Sequence, residues 1–171
     1  MINQGMMSSK TCEWATPQAL FDDLDKKHGK FTLDVCATKE SAKCVEYFDE
    51  EMDGLSQIWS GTCYMNPPYG REIKHWMEKA YEETVIRGNA DRTVCLIPAR
   101  TDTAWWHDYA EKGKFYFLRG RIKFVGATHG SAPFPSAVVM FESIAAIKGN
   151  RDQLSQLAFW KSQLGFWKSQ L

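Results

Sequence analysis

The stretch CYMNPPYG, residues 63–70, ends a short apolar run with an amide, two prolines, a tyrosine and a glycine. Each proline fixes its φ angle and lacks a backbone N–H, so the pair fits neither a central strand nor the interior of a helix. Regular structure is therefore expected to stop at Asn66. Taken alone, Asn-Pro and Pro-Pro pairs also mark ordinary tight turns. The place of this stretch in the fold therefore matters for its interpretation.

Predicted strands alternate with predicted helices on both sides of this stretch. Hydrophobic periodicity and capping residues predict helices over 16–29, 71–88 and 101–113. Strands are predicted over residues 31–37, 44–49, 61–66, 92–100 and 136–143, with one or two more between 114 and 126 that break at Gly120. This alternation is typical of an α/β fold with a mostly parallel sheet flanked by helices. The last two strand runs predict an antiparallel hairpin at one edge.

Two threonines are predicted to begin helices. Thr16 precedes Pro17, which suits the first helical position, and Thr101 precedes the helix over 101–113. Asn66, in contrast, follows a predicted central strand. Ligands of open α/β sheets bind at the carboxyl ends of the strands. The position of Asn66 therefore favours a binding site over a plain turn.

The composition fits one globular domain. The chain has 171 residues, of which 44% are hydrophobic and 13% aromatic, enough for a core. Its 21 basic and 21 acidic side chains cancel, so the net charge gives no argument for a nucleic-acid partner. Residues 112–123, however, hold five basic and no acidic side chains. Such a patch suits a phosphate backbone or a solvated edge equally well.

The five cysteines predict neither a disulfide framework nor a zinc site. Their number is odd and none forms a CxxC pair, and residues 1–10 lack the apolar segment of a signal peptide. His107 and His129 show no ligand-like spacing, so no metal is expected. No apolar run reaches about 18 residues, the length of a membrane-spanning helix. We therefore expect a reduced, cytoplasmic protein.

Asn66, Pro67 and Tyr69 combine two hydrogen-bond acceptors with a flat ring. The Asn66 side chain and the main chain of Pro67 each offer a carbonyl oxygen, and the tyrosine offers a face for stacking. A planar group that carries an NH₂ suits this set, because both N–H bonds can be held while the ring stacks. Accepting both bonds favours a pyramidal nitrogen with a free lone pair, and the stabilisation grows as positive charge develops there. The pattern therefore predicts group transfer to an exocyclic amine.

The Asn-Pro-Pro-Tyr sequence resembles the catalytic motif of S-adenosylmethionine-dependent amino methyltransferases. More closely, the chain resembles the phage-type DNA N6-adenine methyltransferases, a Dam-like family. The matching pieces, in order, are WATPQALFDDL, FTLDVCA, MNPPYGREIKHWMEKA, LIPARTDTAWWH, GRIKF and APFPSAVVMF. The resemblance implies a Rossmann-like class I methyltransferase fold that binds S-adenosylmethionine and methylates adenine N6 in DNA. A phage-encoded protein of this kind would act in the bacterial host cytoplasm.

The resemblance assigns catalysis to the motif itself. Asn66 and the Pro67 carbonyl would accept the two N–H bonds of the target amine, Pro68 would fix the loop, and Tyr69 would stack on the adenine. For Asn66, the family uses aspartate, asparagine or serine. The other enzymes that carry this motif leave an RNA-adenine or a protein-glutamine methyltransferase as alternatives, because a glutamine amide poses the same planar-amine problem. A non-catalytic nucleic-acid-binding module with this fold is a further alternative.

For the cofactor, the resemblance implies eight residues, which are Trp14, Thr16, Pro17, Asp34, Cys36, Ala37, Asp49 and Asp53. Asp34 would reach the ammonium group of the cofactor, and Asp53 would face its adenine amine. Asp49 or Glu50 would hold the ribose hydroxyls. Many Rossmann-like methyltransferases carry a glycine-rich turn after the first strand, and Cys36 and Ala37 stand there instead. The alternatives that remain open are ordinary helix-start packing for Trp14 and Pro17, a plain N-cap for Thr16, and a solvated turn for Asp49, Glu50 and Asp53.

DNA binding is expected from basic side chains near the motif. Double-stranded DNA hides adenine N6, so the base must be flipped or supplied unpaired. The candidates for phosphate contacts are Arg71, Arg100, Arg119, Arg121 and Lys123, each of which also suits a solvated surface. A separate recognition domain needs about 100 residues. Specificity is therefore expected to be short or weak and to come from loops such as 125–135.

One catalytic domain is predicted over residues 1–150, followed by a tail over 151–171. The tail repeats the hexapeptide FWKSQL at 159–164 and 166–171, which predicts a helical heptad fragment. Two copies are too few for a coiled coil. We expect no catalytic role for the tail. The recognition sequence and the oligomeric state are not predicted.

Overall fold

The computed structural model describes residues 14–126 and 130–149, and its centre is a six-stranded sheet. The strands are β1 (Leu33–Asp34), β2 (Glu46–Tyr47), β3 (Gly61–Met65), β4 (Ala90–Pro98), β5 (Lys114–Phe117) and β6 (Ser136–Glu142). Their order across the sheet is β2-β1-β3-β4-β6-β5. The first four strands are parallel, and β6 runs antiparallel to both β4 and β5. This arrangement confirms the predicted α/β class and the Rossmann-like, mostly parallel sheet.

Helices cover both faces of the sheet. The helices are α1 (Gln18–His28), α2 (Ile73–Tyr81), which continues into a π-helical turn (Glu82–Ile86), and α3 (Ala104–Asp108), which leads into a 3-10 turn (Ala110–Lys112). Residues 144–149 are also helical. Helix α1 packs over one face of the sheet, and α2 and α3 pack over the other. None of the helices within the described ranges is long and apolar enough to cross a membrane.

Strand β3 shows why the sheet needs cover on both sides. Cys63 and Met65 belong to the core under α2 and α3, whereas Tyr64 belongs to the core under α1. Successive side chains of a strand point to opposite faces, so an unbroken apolar run predicts burial on both. Asn66 ends this run, and the next three residues leave the sheet as predicted. The motif thus lies at the carboxyl edge of a central parallel strand.

The two predicted N-terminal helix caps, Thr16 and Thr101, are wrong. Helix α1 begins at Gln18 with Pro17 in the cap position and without a side-chain cap, because the Thr16 hydroxyl bonds to the Tyr64 hydroxyl at 2.6 Å instead. Helix α3 begins at Ala104, so its cap position is Thr103 and not Thr101. Neither helix has a side-chain cap among its hydrogen bonds. Partners distant along the chain therefore outcompeted the local capping preference of Thr16.

The predicted antiparallel pair is present, with one difference in order. Strands β5 and β6 pair, but β6 also pairs with β4 and lies between them, so β5 alone forms the edge. The residues after Gly120 form no second strand. Instead, Val125 makes an isolated bridge to Ala15, with its N–H 2.8 Å from the Ala15 carbonyl. The tail over 151–171, Cys12 and His129 lie outside the described residues, and the domain boundary at 150 stays a prediction.

Candidate active site

A cavity of about 680 Å³ lies at the carboxyl edge of the sheet. It brings together the four residues predicted for catalysis, which are Asn66, Pro67, Pro68 and Tyr69. It also includes seven of the eight predicted for the cofactor, which are Trp14, Thr16, Asp34, Cys36, Ala37, Asp49 and Asp53. Pro17 lies outside the lining, at the start of α1. Positions scattered over 14–69 thus meet in one place, and their individual roles stay predictions.

Asn66 is held at both ends of its carboxamide. Its Nδ2 donates to the Trp14 main-chain carbonyl at 2.8 Å, and its Oδ1 accepts from the Tyr69 hydroxyl at 2.6 Å. A carbonyl oxygen has two lone pairs, so Oδ1 retains one for a further donor. Pro67 is buried directly beside it. The arrangement therefore leaves an acceptor available for the N–H group of a ligand.

Tyr69 lies within a set of four aromatic rings. Its ring meets Phe124 at 6.0 Å and Phe134 at 5.5 Å, with interplanar angles of 75° and 82°. The same two phenylalanines contact Trp14 edge-on at 5.4 and 5.2 Å. The Tyr69 hydroxyl also lies 3.2 Å from the Leu96 carbonyl. Burial raises the pKa of Tyr69, so its hydroxyl stays protonated as a donor.

Asp34 carries a carboxylate at the end of β1 and is only 2% exposed. The main-chain N–H of Lys43 donates to one oxygen at 3.1 Å, and that of Cys36 to the other at 3.5 Å. The Lys43 ammonium group instead donates to Gln18 at 3.0 Å. Burial raises the pKa of Asp34 to about 6 despite the two backbone donors. A positively charged ligand in the cavity would therefore stabilise the ionised form of this carboxylate.

The acidic loop after β2 forms another part of the lining. Asp49 accepts the N–H of Met52 at 3.0 Å, which is an ordinary loop contact. Asp53 is exposed and adopts a left-handed conformation with φ of 51°, which is uncommon for a residue other than glycine. At the next residue, Gly54, an added Cβ would lie 2.1 Å from the Val35 carbonyl. Only glycine lets this loop approach the end of β1 so closely.

Sequence reasoning missed several residues that line the cavity or support it. Tyr64 is 1% exposed and pairs its hydroxyl with Thr16, and burial raises its pKa. A tyrosine in a fully buried strand needs a hydroxyl partner, and that signal was available in the sequence. Further lining residues that were not predicted are Ala15, Thr38, Ser41, Lys43, Phe48, Gly54 and Trp76. Phe124 was also missed, because ring packing between distant loops leaves no local pattern.

The five basic residues predicted to contact DNA, Arg71, Arg100, Arg119, Arg121 and Lys123, are all exposed. Arg71 follows the motif, and Arg100 follows the carboxyl end of β4. Between 119 and 124, the charged side chains are exposed, whereas Ile122 and Phe124 pack into the core under α1. This alternation leaves the three positive charges in solvent while the apolar side chains of the same segment pack inward. Their contact with a phosphate backbone stays a prediction.

Within residues 14–126 and 130–149, no group of three or more His, Cys, Asp or Glu side chains is placed to hold a metal ion. The cysteines of that part of the chain, Cys36, Cys44, Cys63 and Cys95, are unpaired. Burial raises the pKa of the Cys36 thiol, which lines the cavity. The thiol is therefore neutral and contributes packing and no charge.

Comparison with known proteins gives consistent matches. A family model described as DNA N-6-adenine-methyltransferase (Dam) matches residues 5–155. The chain is 26% identical over 137 residues to the DNA N-6-adenine-methyltransferase of Escherichia phage T1. This alignment covers 70% of this chain and 56% of that protein. It is 28% identical over 137 residues to the DNA N-6-adenine-methyltransferase of Haemophilus phage HP1. That alignment covers 75% of this chain and 78% of the phage HP1 protein. The chain thus spans little more than half of the phage T1 protein.

Proposed function

We propose that the chain, which belongs to the DNA N-6-adenine-methyltransferase (Dam) family, transfers a methyl group from S-adenosylmethionine to the N6 amine of adenine in DNA. The observation that carries the proposal is the single cavity lined by both the Asn66 motif and Asp34. The Asn66 motif offers acceptors for an amine, and Asp34 offers a buried negative charge for a cation. A methyl transfer from a cationic donor to an exocyclic amine needs both in one place.

The residues of the cavity fit S-adenosylmethionine. This molecule, when bound, supplies a methyl group on a positively charged sulfur, and it carries an ammonium group as well. Asp34 is a buried carboxylate that accepts only main-chain N–H groups, so a cation would offset the cost of its burial. Asp49 or Glu50 would bind the ribose hydroxyls, and Asp53 the adenine amine. A volume of about 680 Å³ lies within the range of small-molecule sites, about 300–1,000 Å³.

The acceptors beside Tyr69 would act on the adenine amine. The remaining lone pair of Asn66 Oδ1 and the Pro67 carbonyl would each accept one N–H bond. These bonds strengthen as the nitrogen becomes positively charged, so they stabilise the transition state more than the bound substrate. The Tyr69 ring would hold the base by stacking. No proton needs to leave before the nitrogen attacks, which agrees with the lack of an evident strong base in this set.

The exposed basic residues would hold the DNA around a flipped adenine. Arg71 and Arg100 follow strands that end at the cavity edge, so they would contact phosphates close to the target base. Arg119, Arg121 and Lys123 would follow the backbone further along the duplex. Such contacts position the DNA without reading its sequence. Sequence preference is then left to loops such as 125–135.

The proposal is tested with the purified protein, a labelled methyl donor and separate DNA, RNA and protein acceptors. Digestion of the acceptors to nucleosides or amino acids locates the label. We expect label in N6-methyl-2′-deoxyadenosine from DNA. Label confined to RNA adenine or to protein glutamine would favour the corresponding alternative enzyme. Donor and DNA binding without any transfer would favour the non-catalytic module.

A further inference from the structure

We infer that the main-chain carbonyl of Trp14 positions the Asn66 carboxamide, and that this contact makes the site selective for asparagine over aspartate at position 66. The inference rests on the proposed function, in which Asn66 Oδ1 accepts an N–H bond of the target amine. The contact spans 52 positions along the chain, so no local motif contains it.

The hydrogen-bond partners of Asn66 allow only one orientation of its carboxamide. A main-chain carbonyl can only accept, so the amide nitrogen must face Trp14 at 2.8 Å. The oxygen then faces the Tyr69 hydroxyl at 2.6 Å, which donates to it. If the amide were turned over, two oxygens would meet at the Trp14 carbonyl and neither could donate. The Trp14 carbonyl therefore determines where the catalytic oxygen points.

The Trp14 carbonyl is itself held by its neighbours. The next residue, Ala15, accepts the N–H of Val125 at 2.8 Å. Thr16 then bonds to Tyr64 at 2.6 Å, which ties the segment to β3. The Trp14 ring packs edge-on against two phenylalanines. These contacts link one short segment, 14–16, to Asn66, to the loop after β5 and to the central strand, so the carbonyl is a rigid positioning group.

A carboxylate at position 66 conflicts with this geometry. Asn66→Asp would bring a negatively charged oxygen against the Trp14 carbonyl, and two acceptors repel each other. The protonated carboxyl has an O–H that restores the missing donor, so the substitution favours the protonated form. The titratable groups around this position, taken from every neighbouring element, are Asp34, Cys36, Lys43, Asp49, Glu50, Asp53, Tyr64, Tyr69 and Cys95. Asp34 is the buried one of the four acidic side chains, so its effect on the introduced carboxyl must be separated from that of Trp14.

The direct test measures the pKa of the introduced carboxyl by carbon NMR with labelled aspartate. We expect Asn66→Asp to show a value at least about 2 units above the ordinary 3.9 of aspartate. The same shift should remain in the double variant Asn66→Asp with Asp34→Asn, because the Trp14 carbonyl is unchanged. An ordinary pKa in the single variant, or a shift that disappears in the double variant, would overturn the inference. This readout does not require transferase activity.

A second readout uses methyl transfer to DNA, expressed at each pH as the ratio of Asn66→Asp to the unsubstituted protein. We expect the ratio to fall about tenfold for each pH unit above the pKa of the introduced carboxyl. Asn66→Ala is the control, since its ratio should be low and independent of pH. A pH-independent ratio near one for Asn66→Asp would overturn the inference. Absence of transfer by the unsubstituted protein would contradict the proposed function, while the NMR titration would still decide the role of Trp14.

Discussion

Asp34 and Glu83 are both buried carboxylates, but their surroundings differ. Asp34, at the carboxyl end of β1, receives only main-chain N–H groups, and burial raises its pKa to about 6. Glu83, in the π-helical turn, is 0% exposed. Burial acts to raise its pKa as well, but hydrogen bonds from Asn89 and Lys79 outweigh that effect, so the pKa is lowered.

The contacts of Glu83 saturate both of its oxygens. Lys79 and Arg87 donate to Oε1 at 2.9 and 2.7 Å. Asn89 and the Trp59 main chain donate to Oε2 at 2.9 and 3.4 Å. Because Trp59 and Asn89 precede β3 and β4, this cluster lies at the amino edge of the sheet, opposite the cavity. The amino edge therefore uses its buried charge to hold elements together, while the carboxyl edge leaves one for a ligand.

Replacement of Glu83 should produce the largest loss of stability. Glu83→Ala removes the acceptor for two cations and two N–H donors, and breaking a buried charged network costs about 3–5 kcal/mol. The free energy of unfolding, measured with denaturant, should fall by that amount. Glu82→Ala is the matched control, because Glu82 pairs with the same Arg87 but is 40% exposed. Its cost should be about 0–1 kcal/mol, and equal losses in the two variants would contradict a special role for Glu83.

Replacement of Asp34 should affect binding more than stability. Asp34→Asn removes the charge offered to the donor molecule, and a hydrogen bond to a charged group contributes about 1.5–3 kcal/mol. The dissociation constant for S-adenosylmethionine, measured by calorimetry, should therefore rise about 10- to 100-fold. Glu83→Gln provides the reciprocal control, with reduced stability and an unchanged dissociation constant at a temperature where it is folded. Unchanged affinity in Asp34→Asn would remove the proposed ammonium contact.

Acid should neutralise the two carboxylates at different pH values, because their pKa values are shifted in opposite directions. The raised pKa of Asp34 means that its protonated form is favoured in the fold, so affinity for the cationic donor should fall below about pH 6, approaching tenfold per unit. The stability that Glu83 contributes is present above its unfolded pKa of about 4.3 and is lost as pH falls through the lower folded value. Binding should therefore weaken at a higher pH than unfolding. Calorimetry and circular dichroism over one pH series would reveal whether the two transitions instead coincide.

The smallest effect is expected for loss of the Tyr69 hydroxyl, measured as the rate of methyl transfer. Tyr69→Phe keeps the ring but loses the contacts of the hydroxyl with Asn66 and Leu96. The Trp14 carbonyl still orients the amide, so the transfer rate should fall only severalfold, or about 1 kcal/mol. Tyr69→Ala removes the stacking surface and should reduce the rate further, by an additional tenfold or more. If Tyr69→Phe were as damaging as Tyr69→Ala, the hydroxyl and not the ring would be the essential part.

The fold was predictable where local patterns and burial agree. The apolar run of β3 and the two prolines after it define both the central strand and the edge at which it ends. Strands β1 and β2 are only two residues each, shorter than their apolar runs suggested. The lengths of these strands depend on pairing with their parallel neighbours, and the local sequence pattern of one strand does not reveal its partner. The same limit applies to β6, whose place between β4 and β5 depends on pairing across the sheet.

The sequence predicted which residues belong to the candidate site better than it predicted the contacts that those residues make. A family resemblance named residues that the cavity brings together, including Asp34 and Asn66. The hydroxyl partner of Thr16 lies 48 positions away, so a local rule placed that side chain at a helix cap instead. The charge network of Glu83 was also missed, because an acidic pair in an amphipathic helix normally faces solvent. Contacts that depend on tertiary packing therefore required the structure.

The role of Asn66 is tested most directly by comparing the unsubstituted protein with Asn66→Ala in two measurements on the same preparation. One is the rate of methyl transfer to DNA, and the other is the dissociation constant for S-adenosylmethionine. If Asn66 acts on the incoming amine, the rate should fall by about 10³-fold or more while the dissociation constant changes by less than about tenfold. Equal losses in rate and affinity, or a rate that is preserved, would contradict that role.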